Sequence, residues 1–313
     1  MIRRPAIAER CRTLRVRHPY GAKPHTMTET ILPALVLLLP RLQVVDVQLG
    51  ARTSCADLLA VLEERSNPKL LALDTMMEEW RQSDLYSFPC SAVSVLRSVS
   101  RMSLDRLALH NFVRDDELPA NMPSIPTVTR LDFQAFVVPD VDVLVEVLKL
   151  FPQLRALDLD LDIRDWALED AGTLIESGAL DGLEDLRLAL VSEHPRCDRS
   201  IGAHAGLGRL HKLVRLTWAT WPSDPTACGW GQPRMPAVEH LAITDDFEIA
   251  PQHVLHFLSL YPALRELHLS PSQANRAATI KTFEVRSAVP NVLTAHSQPA
   301  SISGSASSCT TRV

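Results

Sequence analysis

Phe151-Pro152-Gln153-Leu154-Arg155-Ala156-Leu157-Asp158-Leu159 carries a pattern that recurs along the whole chain. Its apolar residues fall at Leu154, Leu157 and Leu159, an apolar-x-x-apolar-x-apolar phrase with a proline two residues ahead. The same phrase returns downstream at Leu183, Leu186, Leu188; at Leu213, Leu216, Trp218; at Val238, Leu241, Ile243; and at Leu264, Leu267, Leu269. Upstream it reads Val128, Leu131, Phe133; Leu104, Leu107, Leu109; Leu70, Leu73, Thr75; and Leu42, Val45, Val47. Cys11, Leu14, Val16 makes a tenth copy. Successive clear copies begin 24 to 34 residues apart. Leucine is abundant, at 47 residues, so one match carries little; nine at near-constant spacing mark a repeat protein.

The segments between phrases read as helices. Val141, Leu144, Val145 and Leu148 recur at i, i+3, i+4 and i+7, which places them on one helical face. Leu168, Ala171, Leu174 and Ile175 do likewise, as do Val254, Phe257, Leu258 and Tyr261; Leu58, Leu59 and Leu62 make a shorter version. The proline then ends each helix, since it disfavours helical backbone in the residue before it and donates no hydrogen bond. The phrase alternates with period two, as a short strand does. One helix–turn–strand unit cannot bury its apolar face alone. Stacked units can, with the strands in a parallel sheet and the wider helices outside, so the stack should curve with its strands on the concave side. A charge at a core position, as in Leu157→Asp, should cost on the order of 3 kcal/mol and disturb mainly neighbouring repeats.

Composition agrees with an aliphatic core: 46% of the 313 residues are hydrophobic, but only 5% are aromatic. A net charge of −5 speaks against general nucleic-acid binding. No run of 18 apolar residues occurs, so no transmembrane helix is expected. The six cysteines are scattered and include no CxxC, which favours reduced thiols and a cytoplasmic or nuclear location. No apolar segment follows Arg3 and Arg4, so no signal peptide is expected. The early arginines resemble a mitochondrial presequence, but Cys11, Leu14 and Val16 also fit the repeat. The expected organisation is a flexible segment over residues 1–9, a solenoid of nine or ten units over 10–286, and a disordered Ser/Thr-rich tail over 287–313.

The L-x-x-L-x-L phrases resemble those of leucine-rich-repeat proteins over about residues 10–270. "FPQLRALDLDL", "MPAVEHLAI" and "YPALRELHLS" are similar to the repeat regions of fungal F-box/leucine-rich-repeat proteins. The resemblance implies an α/β fold, a ribonuclease-inhibitor-like curved stack with parallel strands on the concave face and helices on the convex face. It also implies substrate recognition within a cullin-type ubiquitin ligase. The family's Asn or Cys three residues after the last leucine is absent: Gly50, Glu78, Phe112, Phe136, Asp162, Val191, Trp221, Asp246 and Ser272 stand there. The F-box helices that dock the ligase adaptor are not found either, so an adaptor is expected as partner only if such a motif lies upstream.

The position between the last two apolar residues of each phrase should point to solvent. It holds Arg15, Asp46, Asp74, Ala108, Asp132, Asp158, Arg187, Thr217, Ala242 and His268. Stacking should align these in a row, acidic in its first two-thirds and joined by Asp160. Such a row would attract a basic segment of another protein, or simply serve solubility. Asp158, Asp160 and Asp162 share one strand face and could suggest a divalent cation, but no second segment supplies ligands, and a solvated acidic face fits as well. Trp221 and Trp230, in a Gly/Pro-rich insert, are candidate contact residues. His194, Cys197, His204, His211 and Cys228 match no zinc-ligand spacing. No GxGxxG, GxxxxGK[ST], GxSxG or HExxH occurs. The expectation is therefore a non-catalytic interaction scaffold without cofactor or metal, binding neither nucleic acid nor membrane. A scaffold or inhibitor unconnected to ubiquitin is the alternative, and an enzyme using the concave face as a cleft is a third.

Overall fold

The structure is a computed structural model. It describes residues 9–17, 26–49, 55–65, 68–75, 91–112, 118–136, 141–162, 170–191, 207–218, 234–243, 259–269 and 309–312. The chain forms two compact units, one of residues 1–154 with 160–162, the other of 155–159 with 163–313. In the first unit strands and helices mostly alternate along the chain, and in both units the sheet strands stand in chain order.

The first unit begins with β1 (Thr13–Val16), α1 (Thr26–Leu38), β2 (Val44–Leu49), α2 (Cys55–Arg65) and β3 (Leu70–Thr75). It continues with α3 (Ala92–Val99), β4 (Arg106–His110), β5 (Arg130–Phe136) and α4 (Val141–Lys149). Strands β1 to β5 pair in parallel, each with the next. Helices α1, α2 and α4 stop shortly before Pro40, Pro68 and Pro152, as the sequence predicts. One face of the strands is sealed: Val45, Val47, Leu71, Leu73, Leu107 and Leu109 are fully buried. The anticipated helix face of α4 is there as well, with Val141, Leu144, Val145 and Leu148 buried.

In the second unit β6 (Ala156–Asp162, of which residues 156–159 belong here) is followed by α5 (Asp170–Glu176) and β7 (Asp185–Val191). Then come β8 (Arg215–Trp218), β9 (His240–Ile243) and β10 (Glu266–Leu269), parallel from β7 onward. Leu157, Leu186, Leu216 and Leu241 line the core here. Gly178, just past α5, takes φ 76°, the left-handed conformation that ends helices and that a β-carbon disfavours. Leu168, Val254, Phe257 and Leu258, read as helical, lie outside the described residues.

One backbone device recurs through both units. The carbonyl of the second residue of a phrase accepts two N–H groups from the next repeat. Arg12 O takes Gln43 and Val44; Gln43 O takes Lys69 and Leu70; Lys69 O takes Asp105 and Arg106; Asp105 O takes Thr129 and Arg130. Arg155 O, Glu184 O, Val214 O and Glu239 O do the same in the second unit. A second device precedes six of the phrases: a buried apolar residue whose carbonyl caps a turn three residues on, as in Leu154 N to Phe151 O, Leu213 N to Leu210 O and Leu264 N to Tyr261 O. Burial also pushes the Tyr261 phenol well above its ordinary pKa.

Three expectations change. The phrase in β3 is not Leu70, Leu73, Thr75. Its backbone partners make it Pro68, Leu71, Leu73, with the buried Pro68 in the leucine slot. Within the stretch read as a disordered tail, Cys309–Arg312 forms β11, antiparallel to β10; residues 287–308 lie outside the described residues. The cysteines are not all reduced either: Cys55, buried at the start of α2, is disulfide-bonded, whereas Cys11 is a free thiol. Among the described residues, no helix is long and apolar enough to cross a membrane.

Candidate functional site

Strand alternation leaves one face of each sheet for side chains that the core does not need. In the first unit cross-strand register sorts this face into rows. The central row is Arg15, Asp46, Ala72, Ala108, Asp132. Two residues earlier on the strands lie Thr13, Val44, Leu70, Arg106 and Arg130; two residues later Gln48, Asp74, His110 and Gln134. Asp74 thus stands one row away from Asp46, with Ala72 in the place the sequence assigned to it. Three strand spacings, about 14 Å, separate Asp46 from Asp132, with two alanines between. The mutual repulsion expected of adjacent aspartates does not arise between them.

Each of these aspartates lies against at least one cation. Arg17 bridges two of them, with Nη2 2.6 Å from Asp46 and Nη1 3.0 Å from Asp74. Arg15 Nε lies 3.7 Å from Asp46. Asp132, the one buried carboxylate of the face, sits 3.3 Å from Arg106 and 3.6 Å from His110 Nε2. Burial alone would raise its pKa, but His110 and Arg106 outweigh that cost and hold it below the ordinary 3.8. The 3.6 Å approach is an ion-pair distance rather than a hydrogen bond, and His110 Nε2 and Asp132 Oδ1 are both buried without a hydrogen-bond partner.

Asn111 ties the rim of this face together. It adopts φ 60°, which Asn tolerates better than most residues. Its N–H donates to Gln134 O at 2.8 Å, its side-chain amide to Asp74 at 2.6 Å, and its carbonyl accepts from the Thr75 hydroxyl. The family's asparagine position three residues after the last leucine is filled by buried Phe112. A cross-turn tie comes instead from the residue before it.

On the second unit's face Arg187 Nη1 holds both oxygens of Asp158, at 3.0 and 2.9 Å. Arg187, Thr217, Ala242 and His268 form one register row. Arg215 lies 3.9 Å from Asp185, and His240 Nδ1 2.9 Å from Glu266. His268 is half-buried and engaged in an interaction of its own, as is Asp160, which belongs to the first unit.

Of the residues singled out in the sequence, Asp46, Asp74 and Asp132 therefore share the first unit's face, while Asp158, Arg187 and His268 share the second's. Trp221 and Trp230 lie outside the described residues, as do His194, Cys197, His204 and Cys228. Among the described residues no three His, Cys, Asp or Glu side chains group as a metal site. Sequence reasoning passed over Arg17, Arg106, His110 and Asn111. The first three sit two residues along a strand from a row position, so the same period-two rule could have found them. It also passed over Ile31, Leu37 and Leu38, large exposed apolar residues of α1. No protein-family model matches the chain, and no curated protein matches it.

Proposed function

We propose that this protein is a non-catalytic interaction platform whose open sheet face binds another protein. The observation that carries the reading is the contrast between the two sides of each strand. On the core side the positions are almost all apolar, from Val45 to Leu241, with Phe133 among the aliphatic residues. On the open side the residues at one register differ from strand to strand: Arg15, Asp46, Ala72, Ala108 and Asp132 in the first unit, Arg187, Thr217, Ala242 and His268 in the second. A constant backbone thus presents a varied set of side chains, which is how repeat proteins build specific binding surfaces.

In finer form, the chain is a leucine-rich-repeat solenoid of ribonuclease-inhibitor-like curvature, acting in the cytoplasm or nucleus as a substrate receptor of a cullin-type ubiquitin ligase. The L-x-x-L-x-L phrases and their resemblance to fungal F-box/leucine-rich-repeat proteins support this form. Co-purification of the cullin adaptor with the chain tests it; without the adaptor, the proposal reduces to a scaffold independent of ubiquitin.

The platform itself is tested by comparing surfaces. Arg15→Glu and Thr217→Arg alter the open faces, and Glu64→Lys alters the exposed side of α2. The proteins crosslinked to each variant in cells are compared with those of the wild type. Loss of a partner by the first two and not by the third is expected. Equal recovery by all three overturns the reading.

A further inference from the structure

We propose that the β1–β5 face docks an acidic, carboxylate-bearing segment of a partner protein, the reverse of the basic partner that the sequence suggests. This rests on the platform reading and specifies its partner chemistry. The reason is layering. Arg15 is 70% exposed above Asp46 at 16%. Arg17 is 47% exposed above Asp46 and Asp74, the latter at 13%. Arg106 is 43% exposed above Asp132 at 9%. An approaching partner meets guanidinium groups first, and the carboxylates lie beneath them.

Arg130 strengthens the pattern. It is exposed, stands in register beside Arg106, and forms no ion pair among the described residues. Arg15, Arg17, Arg106 and Arg130 against Asp46, Asp74 and Asp132 give four positive charges and three negative, a local +1 on a chain of −5. A guanidinium has five donors, and one or two contacts to a buried carboxylate leave others for a second carboxylate from outside. The aspartates beneath also hold the arginines in place beforehand, so less side-chain freedom is lost on binding. Nucleic acid fits less well, because one phosphate per about 1.7 Å of duplex would press against the three aspartates as well as the arginines.

The probe is a fluorescent Glu/Leu-alternating peptide of about eight residues, enough to cross the roughly 19 Å from β1 to β5. Its Lys/Leu counterpart and a single-stranded oligonucleotide of similar length serve as comparisons. Fluorescence anisotropy with the full chain should show the acidic peptide binding about tenfold or more tightly than the basic one at about 20 mM salt, with the gap narrowing at about 500 mM. Arg130→Glu breaks no ion pair among the described residues, so its circular dichroism should match the wild type while affinity for the acidic peptide falls about fivefold. Equal or tighter binding of the Lys/Leu peptide or the oligonucleotide overturns the inference, as does an unchanged affinity for Arg130→Glu. If the acidic peptide fails to bind while Arg15→Glu still loses its cellular partner, this inference falls and the platform stands. If Arg15→Glu and Thr217→Arg also keep every partner, both fall.

Discussion

The two units carry the same phrase on the same backbone but place their acids differently. On the first unit's face Asp46, Asp74 and Asp132 are drawn in under arginines. On the second unit's face Asp158 is 29% exposed and Glu266 38%, about as open as their partners Arg187 and His240. The cover comes from residues beside the central row: Arg106 and His110 stand one row to either side of Ala108 on β4, and Arg17 and Asn111 lie just past the ends of β1 and β4. An ion pair shielded from solvent matters more than one in it. The face chemistry of a repeat is therefore set by the residues that flank the row as much as by the residue at the row position.

The core should not distinguish the units at the mutated position but should differ in how far damage spreads. Leu107 and Leu216 occupy the same slot and are both buried. Truncation to Ala should cost each about 3 kcal/mol, read from denaturant midpoints. Hydrogen exchange should then rise around β3–β5 for Leu107→Ala and around β7–β9 for Leu216→Ala, because repeats contact their neighbours most strongly. Exchange that rises across the whole chain in either variant would mean that the repeats unfold as one block.

The next largest contrast is between the aspartates themselves. Asp132→Asn removes a buried charge that Arg106 and His110 face, and should cost about 2 kcal/mol. Asp158→Asn, half-open to solvent, should cost under about 1 kcal/mol. A carboxyl held below 3.8 in the folded chain contributes stability that is fully present above that pH and is lost as pH falls through its folded value. Wild-type protein should therefore lose stability more steeply than Asp132→Asn does as pH falls below 3.8. Parallel acid-unfolding curves for the two would show that Asp132 is not held by its neighbours.

The sequence carried the strand and helix order because the leucine spacing states it directly, and the buried leucine slots are where the phrase puts them. It lost the β3 register for a local reason. In five phrases a proline stands two residues before the first apolar residue, and Pro68 precedes Leu70 in the same way. Pro68 in fact fills the apolar slot itself, and only the bonds from Lys69 and Leu70 to Gln43 O fix that. The layering of arginine over aspartate was hidden for a different reason. Period two tells which face a residue is on but not which of two long side chains ends outermost, and arginine reaches further than aspartate. Asn111 was invisible because its role depends on a backbone angle.

That role gives a smaller prediction. Asn111→Ala loses the bond to Asp74 and must still adopt positive φ, for about 1–2 kcal/mol in all. Asn111→Gly keeps the backbone conformation at ease and should recover part of that. If Gly is no better than Ala in thermal melts, the angle is unimportant and only the amide contact counts.

The smallest effect belongs to the second unit's outermost pair. Arg155 and Glu184 approach to 3.6 Å, and both side chains are more than half exposed. The backbone carbonyl of Arg155 makes the repeated bond to Glu184 and Asp185, so the side chains are free of any structural duty there. Arg155→Ala alone mixes lost charge with lost packing of the arginine stem, so the pair has to be isolated by a double-mutant cycle with Glu184→Ala. The coupling should be about 0.3 kcal/mol and vanish in high salt. A salt-resistant coupling above about 1 kcal/mol would place this pair with Asp132 rather than apart from it, and exposure to solvent could then no longer explain how the two faces differ.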